Sequence, residues 1–236
     1  MRRTIFLGAT MAAVSASAQQ SRSVCSATAS SLTPGRWRSP AVAATTQPRP
    51  GLTIVFDADR GKVITEIMDL PRATGVLAVP SHHQVYVSTA GAHQVAIIDD
   101  RALKVTSRVG GMQFPDAIAY AREADKVFVS DESGGTDVVI DPVTERIVQR
   151  YDLPGSDHPH GFTLDEEGRL AFISGEGNSE LQVVDLRTMK VIQTLKVPDD
   201  PDALAWDASW RRLYIAAESG VLAAYWLDMA TAELTK

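Results

Sequence analysis

A strand-like string that ends in aspartate recurs along this chain at an almost constant interval. It reads Thr-Ile-Val-Phe-Asp up to Asp57, Val-Ala-Ile-Ile-Asp up to Asp99, Val-Val-Ile-Asp up to Asp141 and Leu-Gln-Val-Val-Asp up to Asp185. The four aspartates lie 42, 42 and 44 residues apart. Their uniform place before a polar turn indicates a structural role. Because a repeat of this length cannot bury its apolar face alone, neighbouring copies must stack to build one core.

Each full repeat contains four short runs rich in β-branched and aromatic residues, separated by Gly, Pro, Asp or Asn. In one repeat, for example, these runs are 116–120, 126–130, 137–141 and 146–153. No helical periodicity runs over ten or more residues after the N-terminal segment. Four-stranded units at this period are typical of a β-propeller, in which each repeat forms one blade. The sequence therefore predicts an all-β propeller.

The repeats predict about four and a half blades. A half-blade covers residues 52–70, and full blades cover about 71–112, 113–155, 156–198 and 199–236. With this number we expect an incomplete ring whose open faces expose apolar surface. Either the chain is a truncated copy of a longer propeller, which we prefer, or two chains complete one another. Self-association through the open blade faces is the corresponding expectation.

The first 18 residues have the layout of a secretory signal peptide. Arg2 and Arg3 give a positive start, residues 5–14 a short apolar stretch, and Ala16-Ser17-Ala18 a small-residue cleavage site. This apolar stretch is too short to span a bilayer. We therefore expect a periplasmic or secreted protein without a membrane span. The alternative is a ragged apolar N-terminus on a cytosolic protein.

Residues 19–51 are rich in Ser, Ala, Thr, Pro and Arg, with few large apolar side chains. Such a segment buries too little surface to offset its ordering entropy, so we predict a disordered linker before the repeats at 52–236. Its Cys25 is the single cysteine of the chain. One cysteine excludes an internal disulfide framework and a Cys-x-x-Cys metal site.

The formal net charge of −6 argues against nucleic-acid binding, which needs a basic surface to neutralise phosphates. The sequence also lacks a Gly-x-Ser-x-Gly elbow, a His-Glu-x-x-His zinc motif, a phosphate-binding Gly-x-x-x-x-Gly-Lys loop and a dinucleotide glycine fingerprint. No nucleophile–base pair is therefore visible, and no cofactor is implied apart from a possible divalent cation.

Several strings share one phase of the repeat. They are Val-Tyr-Val-Ser (85–88), Val-Phe-Val-Ser (127–130), Leu-Tyr-Ile-Ala (213–216), Phe-Pro-Asp-Ala-Ile-Ala-Tyr (114–120), Asp-Pro-Asp-Ala-Leu-Ala-Trp (200–206) and the turn Val-Ile-Asp-Pro-x-Thr (139–144). Together they resemble the YVTN-type, YncE-like β-propeller family over residues 52–236. The resemblance implies seven blades, frequent export and, in many members, no assigned reaction. This chain is about two and a half blades shorter than that pattern.

Two registers of the repeat place polar residues where a channel mouth would lie, because a propeller's first strands line its channel. The first register, at the start of the inner strand, holds Asp116, His160 and Asp202, with His158 nearby. The second, after the second strand, holds Glu132, Glu176 and Glu218, with Asn178 nearby. These eight residues are our candidate binding site.

Carboxylates, an amide and an imidazole around a channel have the chemistry to bind a divalent cation or to place a base near a substrate. The alternative is a structural role, in which the aspartates and glutamates cap turns by accepting hydrogen bonds from backbone N–H groups. The preferred function is a binding or scaffold module for a protein or small ligand. The alternative is a metal-assisted hydrolase or lyase with His160, Glu176 and Glu218 as ligands, by analogy of fold with propeller lactonases and streptogramin lyases.

Overall fold

The structure, a computed structural model, describes residues 41–45, 51–57, 60–167 and 169–236. Within these ranges the chain forms antiparallel strands joined by tight turns and three short 3₁₀ turns. The first sheet has three strands in chain order: β1 (Ala41–Thr45), β2 (Leu52–Asp57) and β3 (Lys62–Ile67).

Four further sheets have four strands each, again in chain order. The second sheet contains β4 (Ala73–Val79), β5 (Gln84–Thr89), β6 (Gln94–Asp99) and β7 (Lys104–Gly110). The third contains β8 (Pro115–Ala121), β9 (Lys126–Asp131), β10 (Thr136–Asp141) and β11 (Arg146–Asp152). The fourth contains β12 (Pro159–Asp165), β13 (Leu170–Gly175), β14 (Glu180–Asp185) and β15 (Lys190–Lys196). The fifth contains β16 (Pro201–Asp207), β17 (Arg212–Ala217), β18 (Val221–Asp228) and β19 (Glu233–Thr235).

The first strands of neighbouring four-stranded sheets contact one another: β4 contacts β8, β8 contacts β12, and β12 contacts β16. The innermost strands therefore lie side by side, and the sheets extend outward from them as blades. This arrangement confirms the predicted all-β propeller and its blade count. The four complete sheets also lie within the four predicted blade ranges.

Burial within each blade follows from its place between two neighbours. Every residue of β13 is buried, whereas β15 alternates between exposed and half-buried positions. A central strand is covered on both faces and can be apolar throughout, but an outer strand meets solvent on one side. The cores accordingly lie between sheets. Tyr86 and Ile140, for example, belong to a cluster shared by the second and third sheets.

The repeated aspartates close the turn between the third and fourth strands. The Asp141 carboxylate accepts the backbone N–H groups of Val143 and Thr144, at 3.0 and 2.8 Å. Asp99 and Asp185 accept the equivalent pairs of N–H groups in their own turns. The bond from Thr144 is the largest cause that lowers the pKa of Asp141, to about 2. These contacts explain the structural role that the spacing indicates.

The start of the repeats differs from the sequence expectation. Strand β1 pairs with β2 through Ala41–Phe56 to Thr45–Leu52, although residues 41–45 fall inside the predicted linker. The folded part therefore begins by residue 41, and the first sheet has the second, third and fourth strands of a blade. The run Ala-Val-Ala-Ala-Thr lacks the large apolar residues by which strands were recognised, whereas backbone pairing needs none. The predicted signal peptide, Cys25 and the rest of the linker up to residue 40 lie outside the described residues.

Large exposed apolar side chains concentrate on the first and last sheets. On the last sheet Leu222 is 72% exposed, Trp210 66% and Trp226 46%. On the first sheet Val63, Ile64 and Met68 are exposed. Self-association through these faces stays a prediction. No helix in the described part of the chain is long and apolar enough to cross a membrane.

Gly161 allows the two inner strands β12 and β16 to approach closely. A Cβ atom placed on Gly161 would lie 2.3 Å from the backbone oxygen of Asp202 and 2.7 Å from Ser174 Oγ. Both neighbours are held in place, because Ser174 Oγ accepts the Gly161 N–H at 2.9 Å and donates to the Pro201 carbonyl at 3.0 Å. The absent side chain therefore sets the separation of these blades.

We expect Gly161→Ala to lower the free energy of unfolding by about 1–3 kcal/mol, because the added methyl group overpacks the contact between β12 and β16. The matched control is Gly110→Ala, since a Cβ on Gly110 meets no atom within 4 Å. Urea unfolding followed by circular dichroism measures both variants. Equal stabilities of the two variants would contradict the close approach.

Candidate functional site

One backbone hydrogen bond, repeated in every complete blade, brings the two predicted registers to the same end of the molecule. In each blade the residue directly after the second strand donates its backbone N–H. The acceptor is the carbonyl of the residue directly before the inner strand, two positions ahead of the polar residue of the first register. The bonds are Ala90 to Arg72 at 3.0 Å, Glu132 to Phe114 at 2.9 Å, Glu176 to His158 at 3.0 Å and Glu218 to Asp200 at 2.8 Å. Each glutamate is therefore fixed beside the start of its own inner strand.

His160, on β12, is the centre of the resulting cluster. Its Nε2 lies 3.0 Å from Asp116 Oδ2 of β8 and 3.2 Å from Asp202 Oδ1 of β16. Its Nδ1 lies 3.3 Å from Glu176 Oε2 in its own blade. One imidazole thus joins carboxylates from three successive blades. Members of both registers meet here: Asp116, His160 and Asp202 of the first, and Glu176 of the second.

The carboxylates around His160 hold it in its charged form. Burial on its own would lower the pKa of His160. The hydrogen bond to Asp202 and the negative charges of Asp116, Asp202 and Glu176 outweigh burial and raise the pKa to about 10. At neutral pH the ring is therefore an imidazolium, and each ring nitrogen donates to a carboxylate.

The other acidic members lie at graded depths. Asp116 is buried, Glu132 is half-buried and Glu218 is exposed at the rim. Burial is the largest cause that raises the pKa of each of these three carboxyls. Nearby carboxylates raise the three pKa values further, and the positive charge of His160 opposes both effects. The site therefore concentrates negative charge around one cation.

Two of the predicted site residues serve the neighbouring loop instead. His158 Nδ1 lies 2.9 Å from Asp157 Oδ1, and both side chains are more than half exposed. Asn178 Nδ2 donates to the Gly155 carbonyl at 2.6 Å and to Glu180 Oε2 at 3.0 Å. Neither residue contacts the His160 cluster through these bonds.

Asp131 is a buried residue that positions the cluster but is not among the predicted site residues. Its carboxylate accepts the backbone N–H groups of Gln113 and Phe114, at 2.8 and 2.7 Å. These bonds hold the loop that leads into β8, and therefore into Asp116, against the end of β9. The sequence feature that could have revealed this role is the residue type at the last position of the second strand. That position is Asp131 in this blade, whereas the other complete blades have Thr89, Gly175 and Ala217 there.

Three members of the cluster form a candidate metal site. Asp116, Glu132 and His160 each offer one ligand atom, and these three atoms lie within 4.8 Å of one another. The predicted ligand set of His160, Glu176 and Glu218 stays a prediction, and the group brought together here shares the histidine with it. Carboxylate oxygens and imidazole nitrogen suit divalent metals. A metal must displace the proton that His160 Nε2 shares with Asp116 and Asp202.

The sequence comparisons give distant relatives. No family model matches the chain. Two proteins named "Uncharacterized protein YncE", from Salmonella typhimurium and Salmonella typhi, are each 22% identical to it over 169 residues, which is 70% of this chain. The chain spans about half the length of these curated relatives, since the match covers 47% of each.

Solved structures with the same fold are more numerous. A functionally unknown protein from Desulfotomaculum acetoxidans has a TM-score of 0.66 at 13% identity and covers 78% of this chain and 61% of its own. The β-propeller domain of Cps50 (Swd1) from Myceliophteria thermophila has a TM-score of 0.66 at 14% identity, and the match covers 79% of this chain and 64% of that domain. Hydrazine synthase from Kuenenia stuttgartiensis has a TM-score of 0.61 at 19% identity, and the match covers 72% of this chain and 49% of the synthase chain. These similarities and the radial sheets support a YncE-like β-propeller, as the sequence strings indicate.

The raised pKa of His160 predicts a specific pH dependence of stability. Its pKa is about 10 in the folded protein and 6.5 in the reference state. The stabilisation is therefore fully present below pH 6.5, falls as the pH rises toward 10, and is lost above that value. The limiting slope for one proton is about 1.4 kcal/mol per pH unit.

We expect His160→Gln to remove this decline between pH 6.5 and 10. Urea unfolding of both proteins at intervals between pH 6 and 10.5 measures the difference. The same slope in the variant and the natural sequence would show that His160 is not held as a cation.

Proposed function

We propose that this chain is an exported propeller binding module whose channel mouth captures a cationic group of a protein or small ligand. The propeller fold and the distant YncE relatives support a scaffold or binding module. The observation that carries the finer proposal is the gathering of Asp116, Asp202 and Glu176 around His160. Export is supported by the N-terminal pattern alone. N-terminal sequencing of the secreted product tests it, and an intact Met1 would contradict it.

The charge balance of the mouth favours a positive ligand. Five carboxylates stand against one imidazolium: Asp116, Glu132, Glu176, Asp202 and Glu218. The surplus of negative charge attracts an ammonium or guanidinium group, and the exposed Glu218 lies where such a group would arrive. A cluster with a surplus of acidic groups also concentrates counter-ions before contact.

The site residues are carried by paired strands. Asp116, His160 and Asp202 lie on three inner strands, each at the register irregularity near the start of its pairing with the second strand of its own blade. Groups held on strands lose little side-chain and loop entropy when a ligand binds. The mouth is therefore organised before the ligand arrives, which suits recognition.

His160 is poorly placed for general-base catalysis in this arrangement. A base needs a nitrogen lone pair within reach of the substrate proton. Both nitrogens of His160 instead face carboxylates, and its raised pKa keeps the ring protonated at neutral pH. The geometry therefore favours binding over hydrolysis.

The test uses N-acetyl-arginine amide, which carries one guanidinium and no other charge, with N-acetyl-glutamine amide as the neutral control. Isothermal titration of the full chain should detect the cationic probe alone. We expect Glu176→Gln and Glu218→Gln each to weaken binding about threefold to tenfold, because each removes one negative charge from the mouth. Glu123→Gln is the matched control, since Glu123 lies in the turn between β8 and β9, at the opposite end of the blade.

Two outcomes would contradict the proposal. One is equal binding of the neutral and cationic probes. The other is an affinity for the cationic probe that is the same in Glu176→Gln, Glu218→Gln and Glu123→Gln.

A metal-assisted hydrolase or lyase is the second candidate, favoured by one observation: the ligand atoms of Asp116, Glu132 and His160 lie within 4.8 Å of one another. A bound divalent ion would supply Lewis-acid chemistry at this place. Thermal unfolding with and without added Ca²⁺, Mg²⁺ or Mn²⁺ discriminates between the candidates. Stabilisation that Glu132→Gln abolishes would support the metal site, whereas no stabilisation by any of these ions would remove it.

A further inference from the structure

A cavity of about 400 Å³ lies between the third and fourth sheets, apart from the channel mouth. Its walls are mainly aliphatic and aromatic, and include Phe128, Leu153, Phe162, Ile173, Val184 and Val191. Asp137 lies among these side chains. A volume of this size falls within the range of small-molecule sites. Neither the candidate site nor the proposed function uses this space.

The fold does not require a carboxylate at position 137. Asp137 pairs with Ser130 across β9 and β10, and the equivalent pairs in the other complete blades contain Val95, Leu181 and Leu222. Three of the four complete blades therefore have an apolar residue at the position of Asp137. Asp137 is nevertheless only 3% exposed.

The protein offers Asp137 little compensation for its burial. Ser130 Oγ donates to Asp137 Oδ1 at 3.2 Å. Burial raises the pKa of Asp137 to about 7, and the Ser130 hydrogen bond only partly opposes that effect. A buried carboxylate without a cationic partner is costly for a fold. Asp137 is thus a buried acid that the architecture does not require.

Gln182 provides a second, independent observation on the same interface. It is 1% exposed and occupies a position that is Ala96, Val138 and Ala223 in the other complete blades. Its Nε2 donates to the carbonyl of Pro154, a residue of the cavity wall, at 2.7 Å. This bond fixes which end of the amide is the nitrogen. The remaining Oε1 is buried and has no hydrogen-bond partner among the residues that the structure describes.

A hydrogen-bond donor from a ligand would therefore satisfy the polar groups of this interface. Gln182 Oε1 accepts hydrogen bonds, as does Asp137 when it is ionised, and both residues stand where the other complete blades place apolar side chains. Gln182 shares a face of β14 with Val184, which lines the cavity. The missing partner should thus be rich in N–H groups and carry positive charge.

The remaining residues of the cavity wall indicate the chemistry of the uncharged part of the ligand. The rings of Phe128 and Phe162 are stacked with centroids 5.8 Å apart, and both line the cavity. Such a wall favours an apolar or aromatic group, and ring faces also attract a neighbouring cation. Asp152 and Lys190 are exposed members of the lining and mark its solvent side.

We propose that the cavity between the third and fourth sheets binds a small primary amine with an aromatic or aliphatic body, whose ammonium group pairs with Asp137. The ammonium supplies the positive charge that faces Asp137 in the cavity wall, and the body fills the space beside Phe128 and Phe162. This site is separate from the channel mouth, and its failure leaves the proposal for the mouth intact.

The test uses 2-phenylethylamine as the probe and 2-phenylethanol as its neutral counterpart of nearly equal shape. Binding to the full chain is followed by NMR chemical-shift titration. We expect Asp137→Asn and Asp137→Val to weaken binding of the amine at least tenfold, because either change removes the negative charge. Asp137→Val restores the residue found at position 95, so it should also raise the melting temperature of the free protein.

Glu176→Gln is the control that separates the two sites. The amine is itself a cation that the channel mouth should attract, so binding is read separately at the two sites: Glu176→Gln should weaken the chemical-shift changes at the mouth and leave those of cavity residues such as Phe128 and Phe162 unchanged. Any of three results at the cavity residues would overturn the proposal: no shift change with 2-phenylethylamine, equal changes with the amine and the alcohol, or equal affinity in Asp137→Asn and the natural sequence. If Asp137→Val fails to fold, Asp137→Asn still gives the decisive comparison.

Discussion

The close approach of neighbouring inner strands is the constraint on which the channel mouth depends. At Gly161 the backbone of β16 comes so near that a methyl group would collide with the Asp202 carbonyl. Gly75 plays the same part between β4 and β8, where a Cβ would lie 2.4 Å from the Asp116 backbone oxygen. The equivalent position between β8 and β12 is Ala117. Because all the neighbouring inner strands lie side by side, equivalent residues of each repeat arrive at the same end of the molecule. A cluster from three blades then needs no long loop to assemble it.

The electrostatics of the mouth follow from this geometry. Asp116 and Asp202 come from the blades on either side of His160, and Glu176 comes from its own blade. Each carboxylate alone would be costly to bury, and so would the imidazolium, but together they compensate one another. The cluster keeps a surplus of acidic groups and an exposed rim at Glu218. This combination suits the capture of a cation from solvent.

Much of this architecture could be predicted from the repeat alone. The 42-residue interval gave the blades, and alignment of the repeats placed Asp116, His160, Asp202 and the three glutamates in two registers. This succeeds because a propeller converts equal sequence position into equal spatial position. The register also shows residues that break the rule, as Asp131 and Asp137 do, although it cannot show what surrounds them.

Other features depend on interactions that a repeat pattern does not encode. Strand β1 is recognised by its pairing with β2, since its sequence carries no large apolar residues. His158 and Asn178 lie close to the registers, but local hydrogen bonds to Asp157 and Gly155 turn them toward a loop. The cavity beside Asp137 arises from the fit of side chains between two sheets. Such fits are set by shape and volume, which vary from blade to blade.

The protonation state of His160 is the central claim, because it decides between a site that binds cations and one that offers a base. Nitrogen-15 NMR of the imidazole ring across pH 6 to 11 measures it directly. We expect both ring nitrogens to stay protonated through pH 8 and to titrate near pH 10. A neutral ring at pH 8, titrating near 6.5, would contradict the claim.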